Sequence, residues 1–165
     1  MIVDLKRVFV DEHASLPIEY LFDMSDVPFS GAFPLSRPVK LCGSVSNKAD
    51  LVELKATISY VYAAPCDRCG VMTEREHTVT VDKVLAVSAQ SEENDDILLT
   101  PDMKLDLDEL IYSEVVVSIP MKHLCRDDCR GICPKCGKNR NEGDCACSEK
   151  EIDPRLSALA ELLKS

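Results

Sequence analysis

Residues 51–86 read LVELKATISYVYAAPCDRCGVMTEREHTVTVDKVLA, and this stretch decides the fold. Leu54, Ala56, Ile58 and Tyr60 alternate with Glu53, Lys55, Thr57 and Ser59, the period-two pattern of a half-buried strand. CDRCG at 66–70 is a turn. Beyond it, Thr78, Thr80 and Asp82 alternate against Val79, Val81 and Lys83 in another long strand. Upstream, VKLCGSV (39–45) and the polar turn SNKAD (46–50) complete a hairpin with the strand that begins at Leu51. Residues 1–38 are mixed: a short charged element, a possible strand in PIEYLFD, and a loop, PFSGAFPLSRP, whose prolines discourage regular structure.

Downstream, SEENDDI (91–97) reads as a solvated acidic connection. LDLDELIYSEVVVSIP (105–120) suggests a helix over 107–118. Asp106 is its cap, Glu109 the capping-box partner and Pro120 its end, although the β-branched run also suits a strand. IDPRLSALAELLK (152–164) has Asp153 as a cap, Pro154 at the first helical position and an apolar stripe of Leu156, Leu159, Ala160 and Leu163. The expected fold class is α+β: a mostly antiparallel β-sheet with one internal helix, a cysteine-rich metal loop and a C-terminal helix. The expected organisation is an N-terminal element and loop (1–38), a β domain (39–120), a zinc-knuckle-like segment (121–150) and the final helix (151–165), forming one compact unit.

Composition narrows the function. Of 165 residues, 45% are apolar, enough for a core; aromatics are scarce and Trp is absent, so aliphatic side chains must fill it. A net charge of −10 argues against a surface that binds nucleic acid or anionic membrane throughout. Residues 121–141 are the exception. Lys122, Arg126, Arg130, Lys135, Lys138 and Arg140 face only Asp127 and Asp128 there, a balance of +4. The charged start and the lack of a long apolar run predict a cytoplasmic protein with no membrane span, where thiols stay reduced.

In that compartment nine cysteines point to metal. Cys133 and Cys136 in CPKCG are the secure pair, because two thiols two residues apart, followed by glycine, can turn both sulfurs onto one ion. Cys145 and Cys147 follow, with a bend at Asn141, Gly143 and Asp144, and Cys129 competes for the fourth place. Cys125 is a weaker candidate. Cys66 and Cys69 form a rival knuckle, with free thiols at a strand end as the competing reading, and Cys42 reads as a small core residue. Zinc in a structural role is the expected cofactor. The spacing of Cys129, Cys133 and Cys136 also suits a 4Fe–4S cluster, but the large barrel of such enzymes is missing; a rubredoxin-type iron site would want aromatics, and none follow Met121. No nucleophile, phosphate-loop or dinucleotide motif is present, so nothing in the residues argues for a catalytic site, and no small-molecule substrate is evident.

VKLCGSV, LVELKATISYVYAAPCDRC, LDLDELIYSEVVVSIPMKHLC, DCRGICPKCGKNRNEGDCAC and IDPRLSALAELL occur in this order. With them, residues 39–163 resemble the YceD family, bacterial and plastid proteins linked to accumulation of large-subunit ribosomal RNA. The resemblance implies a non-enzymatic ribosome-biogenesis role, with ribosomal RNA or a large-subunit ribosomal protein as partner. Arg126, Arg130, Lys135, Lys138 and Arg140 are then the candidate contacts. A zinc ion held by four thiolates carries −2, which cuts the island's charge to +2, so phosphate contacts alone would be weak. A protein-binding adaptor and a thiol/zinc redox switch are the alternatives.

Overall fold

The computed structural model describes residues 1–29, 31–88 and 96–147. The expected C-terminal helix lies outside the described residues, as does most of the acidic connection.

Five strands form the main sheet in the order β2 (Ser15–Phe22), β3 (Val39–Lys48), β4 (Leu51–Pro65), β5 (Met72–Ala86) and β6 (Ile97–Leu99). All neighbours are antiparallel except β5 and β6. A smaller sheet pairs β1 (Ile2–Asp4) with β7 (Lys104–Asp106). Among the described residues, two α-helices, α1 (Lys6–Val10) and α2 (Leu107–Ser118), accompany the strands in an α+β fold. The alternation in β4 does what its spacing requires. Val52, Leu54, Ala56, Ile58 and Tyr60 are buried, while Lys55 and Thr57 are exposed. Burying a side chain such as Leu41, Leu54 or Ile58 stabilises the fold by about 1.5–3 kcal/mol.

The β3–β4 connection is tighter than SNKAD suggests. Ala49 and Asp50 adopt φ of +51° and +63°, forming a two-residue turn, and β3 runs on through Asn47 and Lys48. Asn47 tolerates burial because its Nδ2 donates to the Val8 carbonyl at 2.9 Å, tying α1 to the strand. Gly43 permits close strand approach: a Cβ there would lie 2.3 Å from the Lys55 carbonyl oxygen. Pro17 is accommodated because β2 is an edge strand. Cys42 is not a core residue. The pleat that buries Leu41 turns Cys42 to the open face of the sheet, half-buried, with Sγ 3.9 Å from Glu19.

In α2 the helical stripe of Leu107, Leu110, Ile111 and Val115 is buried, and that burial overrides the strand preference of its valines. The Asp106 side chain accepts the Asp108 N–H at 3.0 Å as the cap. At the other end, Ser118 Oγ lies 2.9 Å from the Tyr60 hydroxyl of β4. The helix therefore delivers the chain at Pro120 beside the end of β4, where the cysteine segment begins.

Candidate metal centre

Two short loops of the same shape carry the thiols. In the β4–β5 turn the Gly70 N–H donates to the Cys66 carbonyl at 2.8 Å, with Gly70 at φ +73°. In the tail the Gly137 N–H donates to the Cys133 carbonyl at 2.8 Å, and Gly137 also has φ +73°. Glycine adopts that left-handed conformation without steric cost, which explains its place after each second cysteine. In both loops the first sulfur receives backbone N–H groups: Arg68 and Cys69 at Cys66, Lys135 and Cys136 at Cys133. Burial opposes ionisation of Cys66, yet donation from Cys125, Arg68 and Cys69 outweighs it and holds the thiol down at about 6. Donation from Cys136 and Lys135 likewise lowers Cys133 to about 6.

The tail then folds back onto the hairpin end. The His123 N–H donates to Asp67 Oδ2 at 2.7 Å, and the Asp67 N–H returns to the His123 carbonyl at 2.9 Å. The His123 ring is buried, with Nε2 2.7 Å from Thr73 Oγ1 and its edge toward Tyr62 at 5.2 Å. This clip brings Cys129 Sγ to 3.8 Å from Cys66 and Cys125 Sγ to 3.6 Å from Cys69. The four sulfurs of Cys66, Cys69, Cys125 and Cys129 lie within 4.8 Å of one another, as do those of Cys133, Cys136, Cys145 and Cys147. Both groups can hold a metal ion. A tetrahedral ion with sulfurs at about 2.3 Å requires sulfur–sulfur edges of roughly 3.8 Å, whereas a disulfide needs about 2.05 Å. All nine cysteines are free. Without a cation neither group can ionise fully. Burial and the neighbouring Cys129, Cys69 and Cys66 push Cys125 up to about 12; Cys136, with burial, does the same to Cys147.

The sequence candidates separate accordingly. Cys133 and Cys136 meet Cys145 and Cys147 across a bend in which the Glu142 N–H bonds to the Asn139 carbonyl and Gly143 takes φ +139°. Cys129, taken as a competitor for that group, sits in the other one. The chain reverses at Gly131 (φ +71°), and Arg68 holds the Cys129 carbonyl through Nη1 at 2.8 Å, which turns Cys129 back to the hairpin. Cys66, Cys69 and Cys125 are its companions, so Cys66 and Cys69 lie in a four-sulfur group and not by themselves at a strand end. Sequence reasoning missed Asn141 as a hydrogen-bond donor to the hairpin-side group. Its Nδ2 donates to Cys129 Sγ at 3.3 Å, and its Oδ1 accepts the Arg130 N–H at 2.8 Å. It also missed His123 and Asp67; only the polar filling of CDRC hinted at them.

The cations are partly engaged within the segment. Arg126 reaches Asn141 Oδ1 at 2.8 Å and Asp128 at 3.4 Å, Arg130 pairs with Asp144, and Lys138 donates to the Asp144 carbonyl at 3.0 Å. Lys135 is exposed and Arg140 half-buried.

An antiparallel α+β domain with two four-cysteine groups at one end defines the class: a small protein with closed, metal-competent thiol sites. The chain belongs to the family described as large ribosomal RNA subunit accumulation protein YceD, whose model matches residues 54–163. The uncharacterized protein YlbN of Bacillus subtilis (strain 168) is 27% identical over 129 residues, covering 77% of this chain and 75% of its own. The uncharacterized protein Rv2926c of Mycobacterium tuberculosis (strain H37Rv) is 26% identical over 123 residues, 72% of this chain and 59% of its own. The large ribosomal RNA subunit accumulation protein YCED homolog 1, chloroplastic, of Arabidopsis thaliana is 24% identical over 160 residues. That alignment covers 79% of this chain and 50% of the plant protein. No solved structure matches.

Proposed function

We propose that this protein is a non-enzymatic factor that supports accumulation of large-subunit ribosomal RNA in the cytoplasm, with structural zinc in the Cys133, Cys136, Cys145 and Cys147 group. The observation that carries the reading is the family match over residues 54–163, which takes in most of β4, β5, β6, α2 and the cysteine segment. A structural role for the metal fits four protein thiols closing around one point, which leaves no position for a reacting water. Such an ion supplies folding free energy on the order of 10 kcal/mol to a segment with little core of its own. Arg126, Arg130, Lys135, Lys138 and Arg140 are the contacts to ribosomal RNA or a large-subunit ribosomal protein. Three of them are already oriented by Asn141, Asp128 and Asp144.

Deleting the gene from its host tests this. The ratio of large- to small-subunit ribosomal RNA should fall, recover with the wild-type gene, and recover less with a gene carrying R126E, R130E and K135E. An unchanged ratio after deletion overturns the proposal.

The adaptor reading is favoured by one feature. A groove of about 470 Å³ between the end of β4 and α2 is lined by Phe29, Pro34, Tyr62, Val116, Pro120 and Met121. On a body of net charge −10 it suits a basic protein segment with an apolar anchor. Val116→Glu with Met121→Glu would then abolish rescue of the ribosomal RNA ratio in the deletion strain, while the arginine variants would still rescue it.

A further inference from the structure

We infer that Cys66, Cys69, Cys125 and Cys129 form a second metal site, for a thiophilic divalent cation such as Zn²⁺, which clamps the tail to the end of the β4–β5 hairpin. The tail's own group uses ligands from one local stretch. This one joins residues 56 and 63 positions apart, through the Cys69–Cys125 and Cys66–Cys129 contacts. Their spacings of 3.6 and 3.8 Å match the edge of a tetrahedral tetrathiolate site.

Three observations support an ion over four idle thiols. Backbone N–H groups of Arg68, Cys69 and Cys125 converge on Cys66 Sγ, and Asn141 Nδ2 and the Gly131 N–H on Cys129 Sγ. Donors aimed at sulfur are the arrangement that stabilises thiolates around a cation. Second, hydrophobic burial does not hold the segment. Between Met121 and Ile132 the buried residues are His123, Cys129 and Gly131, while Met121 and Ile132 are 105% and 52% exposed. Third, Cys66 and Cys129 are themselves only 3% and 2% exposed, placing the site between the hairpin and the tail.

Charge follows from the second ion. Residues 121–147 carry six cationic and four anionic side chains, a formal +2. Asp67 and Arg68 in the hairpin knuckle cancel. Each four-thiolate Zn²⁺ adds −2, so with both sites filled the whole region stands at −2. Bulk attraction to phosphate is thereby removed, and recognition rests on individually placed side chains.

Cobalt(II) titration of the full-length, metal-stripped, reduced protein tests the clamp, because tetrathiolate cobalt has characteristic visible and charge-transfer absorption. Wild type should take up two cobalt ions per chain with the tetrathiolate spectrum. Cys66→Ser with Cys69→Ser, and separately Cys125→Ser with Cys129→Ser, should each bind one, with the retained spectrum showing that the tail's group remains intact. Cys133→Ser with Cys136→Ser should also bind one. A single cobalt per wild-type chain, an unchanged count in either clamp variant, or a Cys66–Cys129 disulfide in the native protein overturns the inference. The count does not depend on whether ribosomal RNA responds to gene deletion, so the two proposals fail separately.

Discussion

Replacing His123 with Ala tests the clip that holds the tail to the sheet. The ring of His123 is 4% exposed, with Nε2 2.7 Å from Thr73 Oγ1 and its edge against Tyr62. Truncation leaves the Thr73 hydroxyl without its partner, at about 1–3 kcal/mol, and removes an aromatic contact worth about 0.5–1.5 kcal/mol. The backbone bonds between His123 and Asp67 remain, so the net loss should be about 2–4 kcal/mol, or a factor of roughly 30 to 1,000 in an opening equilibrium. Amide hydrogen exchange reads that factor directly. Protection at Cys125, Cys129 and Ile132 should fall by it, while that of Leu54 and Ile58 in β4 stays close to wild type. Thr73→Val should produce a smaller loss, and the double variant should fall short of the sum by about 1 kcal/mol because the two groups share one bond. Unchanged protection at Cys125 and Cys129 in the apo protein would refute the idea that the ring holds the tail.

Two further expectations concern the sheet. Gly43→Val drives a Cβ to 2.3 Å from the Lys55 carbonyl oxygen, and the strands must part to admit it. The urea midpoint should drop by an amount corresponding to about 1–3 kcal/mol, with loss of less than a few tenths refuting the close approach. His77 stacks on Tyr60 at 5.4 Å, and its Nε2 is buried without a hydrogen-bond partner. Burial, then His123 and Arg75, lowers its pKa below the usual 6.5. The unfolded chain therefore binds the proton more readily. Stability is complete above about pH 6.5 and declines as the pH falls from there through the folded value. His77→Phe should flatten that decline in thermal melts; an identical slope in wild type and variant would remove His77 as its source.

Much of the fold was legible because period-two alternation is a local property. Leu54 through Tyr60 announce which face is buried without reference to any other element. The CPKCG knuckle was equally readable, since its two sulfurs, turn and glycine lie within five residues. Where local preference and packing disagreed, packing prevailed: the valines of α2 favour a strand, yet Leu107, Leu110, Ile111 and Val115 gain more from one buried stripe. The extension of β3 through Asn47 was hidden for a related reason, because that polar residue becomes suitable for burial only when the Val8 carbonyl arrives from a distant helix.

By itself the sequence determined the antiparallel strands, the two glycine-terminated knuckles and the presence of thiols enough for metal. Only the tertiary structure decided which thiols belong together. The partition of Cys129 depends on Asp67 meeting His123 across 56 residues and on the reversal at Gly131. Ligand grouping is a matter of distance in space, and spacing along a chain specifies that distance only within a single turn.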